Sequence, residues 1–417
     1  MGADLSTAGL ASLGAVMGSS FLRHRASCGP ACLAAAALLV ASPAWSQTSR
    51  ADTVASQQAE KAKDLKPRVP PGGERAFKWV KDELIDEPSG LYPYFGSVYS
   101  GGGFTVGAGY RRYYGDNTHW DAKVLQSIRN YRLFELSTDS WNHGGGRVDL
   151  HARAGWRDAP DVPFYGLGID SPKTAAGFGV TQAYAGGEVA VRAAHVRLQG
   201  GAMYEDYSTG SPSGSRRPPI ESMFTAETAP ALGLDPAYWH GTASVGYDWR
   251  PSPGYARRGG LYQVRYHHYA GGADDFDRVE GEVIQHLPLV RENWVLSLRG
   301  QTDAILTDDA VVPYYLLPSL GGGDTLRGYS SWRFRDRTAA LTTAEFRWIP
   351  NRNMVDVAVF YDAGMVAPEF DDLTLSRFTS DAGIGFRFHG PRNTPLRIEL
   401  AKSREGLHLV FSGSAAF

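Results

Sequence analysis

The residues of this chain best placed to do chemistry are one arginine and two carboxylates in its second half. Arg327 stands in a glycine-rich stretch, Gly321-Gly322-Gly323-Asp324-Thr325-Leu326-Arg327-Gly328-Tyr329, between two strand-like segments, and Glu345 and Asp362 follow in mid-strand. The loop lacks the Lys-Ser/Thr pair of a phosphate loop, and its glycines do not match a dinucleotide fingerprint. No Gly-x-Ser-x-Gly elbow occurs, and no Ser/His/Asn set assembles into a lipid-hydrolase site. His267 and His268 adjoin within one strand, so they point to opposite faces and make no paired metal site. The sequence calls for no enzyme activity, no cofactor and no metal. The carboxylates are better explained as lumen charges than as a glycosidase pair.

Positioning an arginine and two acids this way requires strands. From about Leu91 onward, segments of eight to twelve residues alternate apolar and polar positions. In 242–249, Ala243, Val245, Tyr247 and Trp249 share one face, while Thr242, Ser244, Gly246 and Asp248 share the other. The 49 glycines, 21 tyrosines and 10 tryptophans suit such a β architecture. A soluble sandwich would alternate too. The polar face, however, carries mid-strand charges at Arg299, Glu345, Arg347, Arg387, Arg397 and Glu399, which a wet lumen tolerates and a dry core does not.

The expected fold is therefore all-β, a transmembrane antiparallel β-barrel of about 16 strands. They are predicted at 91–99, 103–112, 119–127, 131–138, 147–156, 178–191, 194–204, 238–249, 260–269, 276–287, 293–303, 338–348, 354–363, 379–388, 395–401 and 406–417. Even-to-odd connections are mostly short turns, and the long segments 157–177, 205–237, 304–337 and 364–378 fall on the opposite side, the asymmetry of outer-membrane barrels.

Ahead of the strands, the apolar run Ala31–Ala41 is too short to span a membrane as a helix. Arg23, His24 and Arg25 precede it and Ala44-Trp45-Ser46 follows, so residues 1–46 are expected to be a signal peptide. Met17, just upstream of the basic residues, offers a second start. Both cysteines, Cys28 and Cys32, lie inside this segment, so no disulfide is expected beyond it. Residues 47–88 read as a flexible linker with a short amphipathic helix over 74–87, and 89–417 as the barrel. A net charge of −2 gives no reason to expect nucleic acid.

With these residues in place, a family resemblance becomes specific. Leu326-Arg327-Gly328-Tyr329 resembles the arginine-glycine-aromatic motif of the sixth external loop of the bacterial surface antigen barrels, the outer-membrane assembly and translocation superfamily. Phe360-Tyr361-Asp362-Ala363-Gly364 resembles that family's thirteenth-strand signature, and Gly383-Ile384-Gly385-Phe386-Arg387 its fourteenth. Phe164-Tyr165-Gly166-Leu167-Gly168 is similar to a recurrent loop motif. The likeness covers about 90–417. It implies that the loop between strands 11 and 12 folds into the lumen, where Arg327 pairs with Glu345 and Asp362; strand parity, which points both acids inward, supports it.

The resemblance also makes Phe417, ending a last strand of outward apolar residues, a terminal assembly signal. Pro93 and Gly96 in the first strand and Gly413 in the last mark a weak seam. The family's periplasmic transport-associated domains do not fit in the residues between 46 and 91, so the chain looks like a barrel-only member. The implied function is insertion or translocation of protein or lipid at the bacterial outer membrane. The alternatives are a passive pore or structural surface antigen and, more distantly, an outer-membrane lipid hydrolase. Implied partners are outer-membrane lipids, the barrel assembly machinery for the chain's own insertion, and a client protein or lipid that the sequence does not identify.

Overall fold

The computed structural model describes residues 54–60, 89–214, 217–290, 292–350, 355–390, 394, 396–412 and 417. The expected signal peptide, the helix expected at 74–87 and Gly413 lie outside the described residues. The chain divides into two units, Met1–Pro70 and Pro71–Phe417. In the first, residues 54–60 form an exposed helical stretch within the expected linker. Its composition, Val-Ala-Ser-Gln-Gln-Ala-Glu, is rich in good helix formers.

The second unit is a single sixteen-stranded antiparallel sheet in which each strand pairs with its neighbour in sequence. Its strands are β1 Gly90–Gly96, β2 Thr105–Tyr114, β3 Thr118–Ser127, β4 Arg132–Asn142, β5 Val148–Phe164, β6 Ala176–Ala193, β7 Val196–Gly210 and β8 Ala237–Asp248. There follow β9 Gly259–Gly271, β10 Phe276–Val290, β11 Trp294–Ile305, β12 Thr338–Trp348, β13 Val355–Ala367, β14 Thr379–Phe388, β15 Leu396–Ser403 and β16 Gly406–Ser412. All sixteen coincide with predicted strands. The main departures are at β5 and β7, which run several residues past their expected ends because the chain continues extended beneath the long loops.

Alternation does what the sequence required of it. On β13, Val359 and Tyr361 are exposed while Ala358, Phe360 and Asp362 are buried; on β12, Phe346 and Trp348 are exposed while Glu345 and Arg347 are buried. Exposed apolar side chains continue round the sheet, including Val124, Phe134, Trp239, Val264, Ile384 and Leu409. A convex face so rich in exposed Val, Ile, Leu, Phe, Tyr and Trp suits contact with lipid. No helix among the described residues is long and apolar enough to cross a membrane.

The concave face is polar and is filled by the long β11–β12 loop, residues 306–337. A two-residue ladder, Ser319–Leu320 against Phe334–Arg335, closes the base of the loop's tip. Leu326 and Tyr329 pack there with Ile169, Leu320, Phe334 and Leu341, so apolar burial seats the tip and leaves Arg327 pointing at the wall.

At the ends of the sheet, β1 bonds to β2 and β16 bonds to β15. Among the described residues no ladder joins β1 to β16. Pro93 and Gly96 sit in β1 opposite Ala108 and Thr105. One expectation changes. The last strand was predicted to run to Phe417 with that ring facing outward beside Leu407, Leu409 and Phe411. The strand is described from Gly406 to Ser412, and the Phe417 ring stacks 6.1 Å from His286 and lies 5.9 Å from the Arg299 guanidinium. An imidazole face and a cation on the inner wall give an aromatic ring specific partners that lipid does not.

Candidate functional site: a buried arginine hub

The loop tip holds its own shape first. The Gly322 N–H donates to the carbonyls of Leu326 and Tyr329, and the Gly321 N–H donates to Thr325 Oγ1 at 2.8 Å. Gly321 and Gly322 adopt φ of 115° and 100°, conformations that L side chains rarely reach. Gly328 is needed for a different reason. A Cβ there would lie 2.5 Å from the Asp381 Cβ and 3.1 Å from the Ser403 Cβ, so the loop backbone can lie on β14 and β15 only without a side chain.

Arg327 emerges from this turn, 2 % exposed. Its Nε and Nη2 donate to Asp362 Oδ2 and Oδ1 at 2.7 and 2.8 Å, a bidentate fork. Nη1 donates to Glu345 Oε2 at 3.2 Å and to Glu399 Oε1 at 3.0 Å. The guanidinium also lies 3.4 Å over the Phe360 ring. Glu345, Asp362 and Glu399 are themselves at most 1 % exposed. Burial alone would lower the Arg327 pKa, but the hydrogen-bonded Asp362, with Glu399 and Glu345 beside it, raises it above the ordinary value. The group is a fixed cation.

Strand register explains how the acids converge. Thr343, Asp362 and Asp381 lie in one row across β12, β13 and β14, and Glu345, Phe360 and Gly383 lie in the next. Gly383 leaves room for the Phe360 ring, since a Cβ there would come within 2.3 Å of it. Two further arginines complete the charge balance. Arg387 donates to both oxygens of Glu345 and, at 2.8 Å, to Glu399 Oε1. Arg397 lies 3.1 Å from Glu399 Oε2 and donates to the Gly323 carbonyl and to Asp324 Oδ1 at 2.9 and 3.0 Å.

The structure thus brings together Leu326, Arg327, Gly328, Tyr329, Glu345 and Asp362, with Gly321–Gly323 forming the turn and Tyr329 hydrogen-bonded to Thr379. Pro93, Gly96 and Phe417 lie elsewhere. Sequence reasoning placed Glu399 and Arg387 on the polar face but did not join them to Arg327. The signal was in the strand parity: Ile398 and Leu400 face outward, which turns Arg397 and Glu399 inward. What strand parity does not carry is the curvature that brings β15 within reach of a loop leaving β11.

The loop is also held at both ends of the sheet. Trp332 Nε1 donates to the Ser100 carbonyl at 2.9 Å, beside β1, and its ring stacks on Tyr99. Arg333 donates to both oxygens of Glu405, in the turn before β16, and to Ser171. Ser171 belongs to the loop after the Phe164–Gly168 motif, whose Gly168 N–H donates to the Arg335 carbonyl.

The cluster pairs three arginines with three carboxylates and fixes the position of the loop. Among the described residues no group of three or more His, Cys, Asp or Glu side chains could hold a metal ion.

The fold is similar to that of BamA from Haemophilus ducreyi lacking POTRA domains 1–3, at 15 % identity over 78 % of this chain and 68 % of that one, with a TM-score of 0.57. CdiB from Acinetobacter baumannii matches at 12 % identity over 79 % of this chain and 58 % of that one, with a TM-score of 0.49. No curated protein matches the sequence. Residues 235–406, which contain Arg327 and its three carboxylate partners, match the Omp85 superfamily domain.

Proposed function

We propose that the chain is an integral outer-membrane barrel that aids the insertion or translocation of protein or lipid at that membrane, without enzymatic chemistry. The observation that carries this reading is the Arg327 hub. It pins a loop to β12, β13 and β15, while the same loop touches the turns beside β1 and β16. Such a loop braces the two sheet edges from inside. Pro93 in β1 cannot donate a ladder bond, so the edge beside it is suited to accept a client strand or a lipid. The convex apolar face takes outer-membrane lipid, and residues 1–46 serve as the export signal removed on the way. The chain's own insertion relies on the barrel assembly machinery.

The test is cross-linking in cells from photo-reactive residues at Leu91 on β1 and Leu409 on β16, which are 72 % and 58 % exposed. Capture of a nascent barrel or an exported polypeptide at both positions supports the proposal. Capture of lipid alone, together with small-solute conductance by the purified protein, overturns it in favour of a passive pore.

A further inference from the structure

Outside the Arg327 hub, the described residues contain a second buried arginine with very different surroundings. Arg335, on the two-residue ladder at the base of the loop tip, is 1 % exposed, and none of its three side-chain nitrogens meets a hydrogen-bond partner. Its neighbours in sequence do not share this condition. Arg333 donates to Glu405 and Ser171, and Arg337 donates to the carbonyls of Ala310 and Thr307.

Aromatic rings cover Arg335 instead. Its guanidinium lies 5.2 Å from the Trp332 ring and 5.7 Å from that of Phe164. Trp332 in turn stacks on Tyr99 at 5.1 Å, and Arg157 lies 5.1 Å over Tyr99. The order of the stack is Arg157, Tyr99, Trp332, Arg335, Phe164. Trp332 is held at φ 63° to take its place, an uncommon conformation for a bulky side chain.

Contact with π faces attracts a cation but accepts none of its N–H groups, which lie in the guanidinium plane. A fully buried cation without an acceptor costs several kcal/mol. Burial pushes the Arg335 pKa down to about 10, so the group is still a cation at neutral pH. The unmet demand is for an in-plane acceptor of negative charge, and an oxyanion fits the guanidinium fork. Two more donors are stranded nearby: the hydroxyls of Tyr314 and Tyr315 are buried without partners, and Tyr314 packs on Phe164.

A cavity adjoins the residues that cover Arg335. Ser319 pairs with Arg335 across the ladder, so the two side chains leave it on the same face. Ser319, Trp332, Tyr99, Tyr315 and Arg157 line a cavity of about 590 Å³ on the concave side of the sheet.

We propose that Arg335 anchors a binding site for an oxyanion, a phosphate or carboxylate group that enters from this cavity, with the Tyr314 and Tyr315 hydroxyls as further donors. The aromatic rings fix the plane of the guanidinium before the ligand arrives, which reduces what ordering costs on binding. Arg157, at the far end of the stack, lines the same cavity together with Arg278, Glu205, Glu280 and Asp303. The site is independent of whether the chain moves polypeptide.

The test titrates the purified full chain in neutral detergent with inorganic phosphate, against chloride at equal ionic strength, by calorimetry. Saturable one-to-one binding is expected, weakened at least tenfold by Arg335→Met and unchanged by Arg377→Met, which alters an exposed arginine. Arg335→Lys keeps the charge and loses the fork, so it decides the matter if the methionine variant does not fold; its binding is expected to fall at least threefold. Absence of saturable phosphate binding by the unaltered protein, or binding by both Arg335 variants as tight as that of the unaltered protein, overturns the proposal. Parallel titrations with acetate and with phosphatidic acid in mixed micelles assign the source. Preference for the micelles identifies a lipid headgroup, and preference for free phosphate or acetate identifies a soluble anion.

Discussion

Replacing Arg327 with methionine should destabilise the docked loop mainly through one acid. Glu345 keeps Arg387, and Glu399 keeps Arg387 and Arg397. Asp362, with no exposed surface, has Arg327 as its salt-bridge partner. Stranding a buried carboxylate in this way costs about 3–5 kcal/mol. Asp362→Asn alone leaves Arg327 with Glu345 and Glu399, and weakens rather than orphans the guanidinium, at about 1.5–3 kcal/mol for the charged hydrogen bonds lost. Once Asp362 is neutral, removing Arg327 strands no acid, so the double variant should be no worse than Arg327→Met alone, with a coupling on the order of 2 kcal/mol. The assay is the rate at which outer-membrane-extracted protein loses its compact, heat-modifiable migration in urea, with protease cleavage of 306–337 as the local readout. Additive single effects, or an unchanged rate in Arg327→Met, would refute the claim that Asp362 carries the penalty.

Gly328→Ala should undock the loop at a cost of about 1–3 kcal/mol, because the new methyl meets main-chain-proximal atoms of Asp381 and Ser403 that have little room to yield; faster protease cleavage within 306–337 without loss of the sheet is the expected result. Arg333→Ala and Glu405→Ala should each loosen the loop from the turn before β16, and together should do no more than either alone, as hydrogen exchange of residues 403–406 would report. Asp336→Asn should stabilise the protein at pH 7. Burial raises the Asp336 pKa above its unfolded value, so the folded state binds the extra proton and stability falls as pH rises through that window. The gain in the melting midpoint from Asp336→Asn should therefore shrink as the pH is lowered towards the carboxylate range.

All sixteen strands were legible because a sheet with lipid on one side and charge on the other writes a period of two into every segment. The pattern failed where both faces are covered. In β5, Ala159, Pro160, Val162, Pro163 and Phe164 are all buried, since loops cover what lipid covers lower down, and the alternation that marks a strand disappears. The site divides in the same way. Glu345 and Asp362 are readable from parity together with a motif. Glu399 lies 72 residues from Arg327, and only the curl of the sheet connects them. The stack of Arg157, Tyr99, Trp332, Arg335 and Phe164 draws on three separate segments, each of which reads as an ordinary loop or strand end on its own.

The spacing of the Arg327 partners also imposes an order in time. They lie 18, 35 and 72 residues beyond it, on β12, β13 and β15, so the loop is made before the strands that take its guanidinium. Until β15 is in register, burying the guanidinium would leave part of its charge uncompensated, and the contacts that repay closing so long a stretch of chain are missing. The loop settles late, as the clasp that follows completion of the last hairpin. A docked Arg327 is thus a record that the C-terminal strands have assembled, written into the protein by the distance along the chain between a cation and its farthest anion.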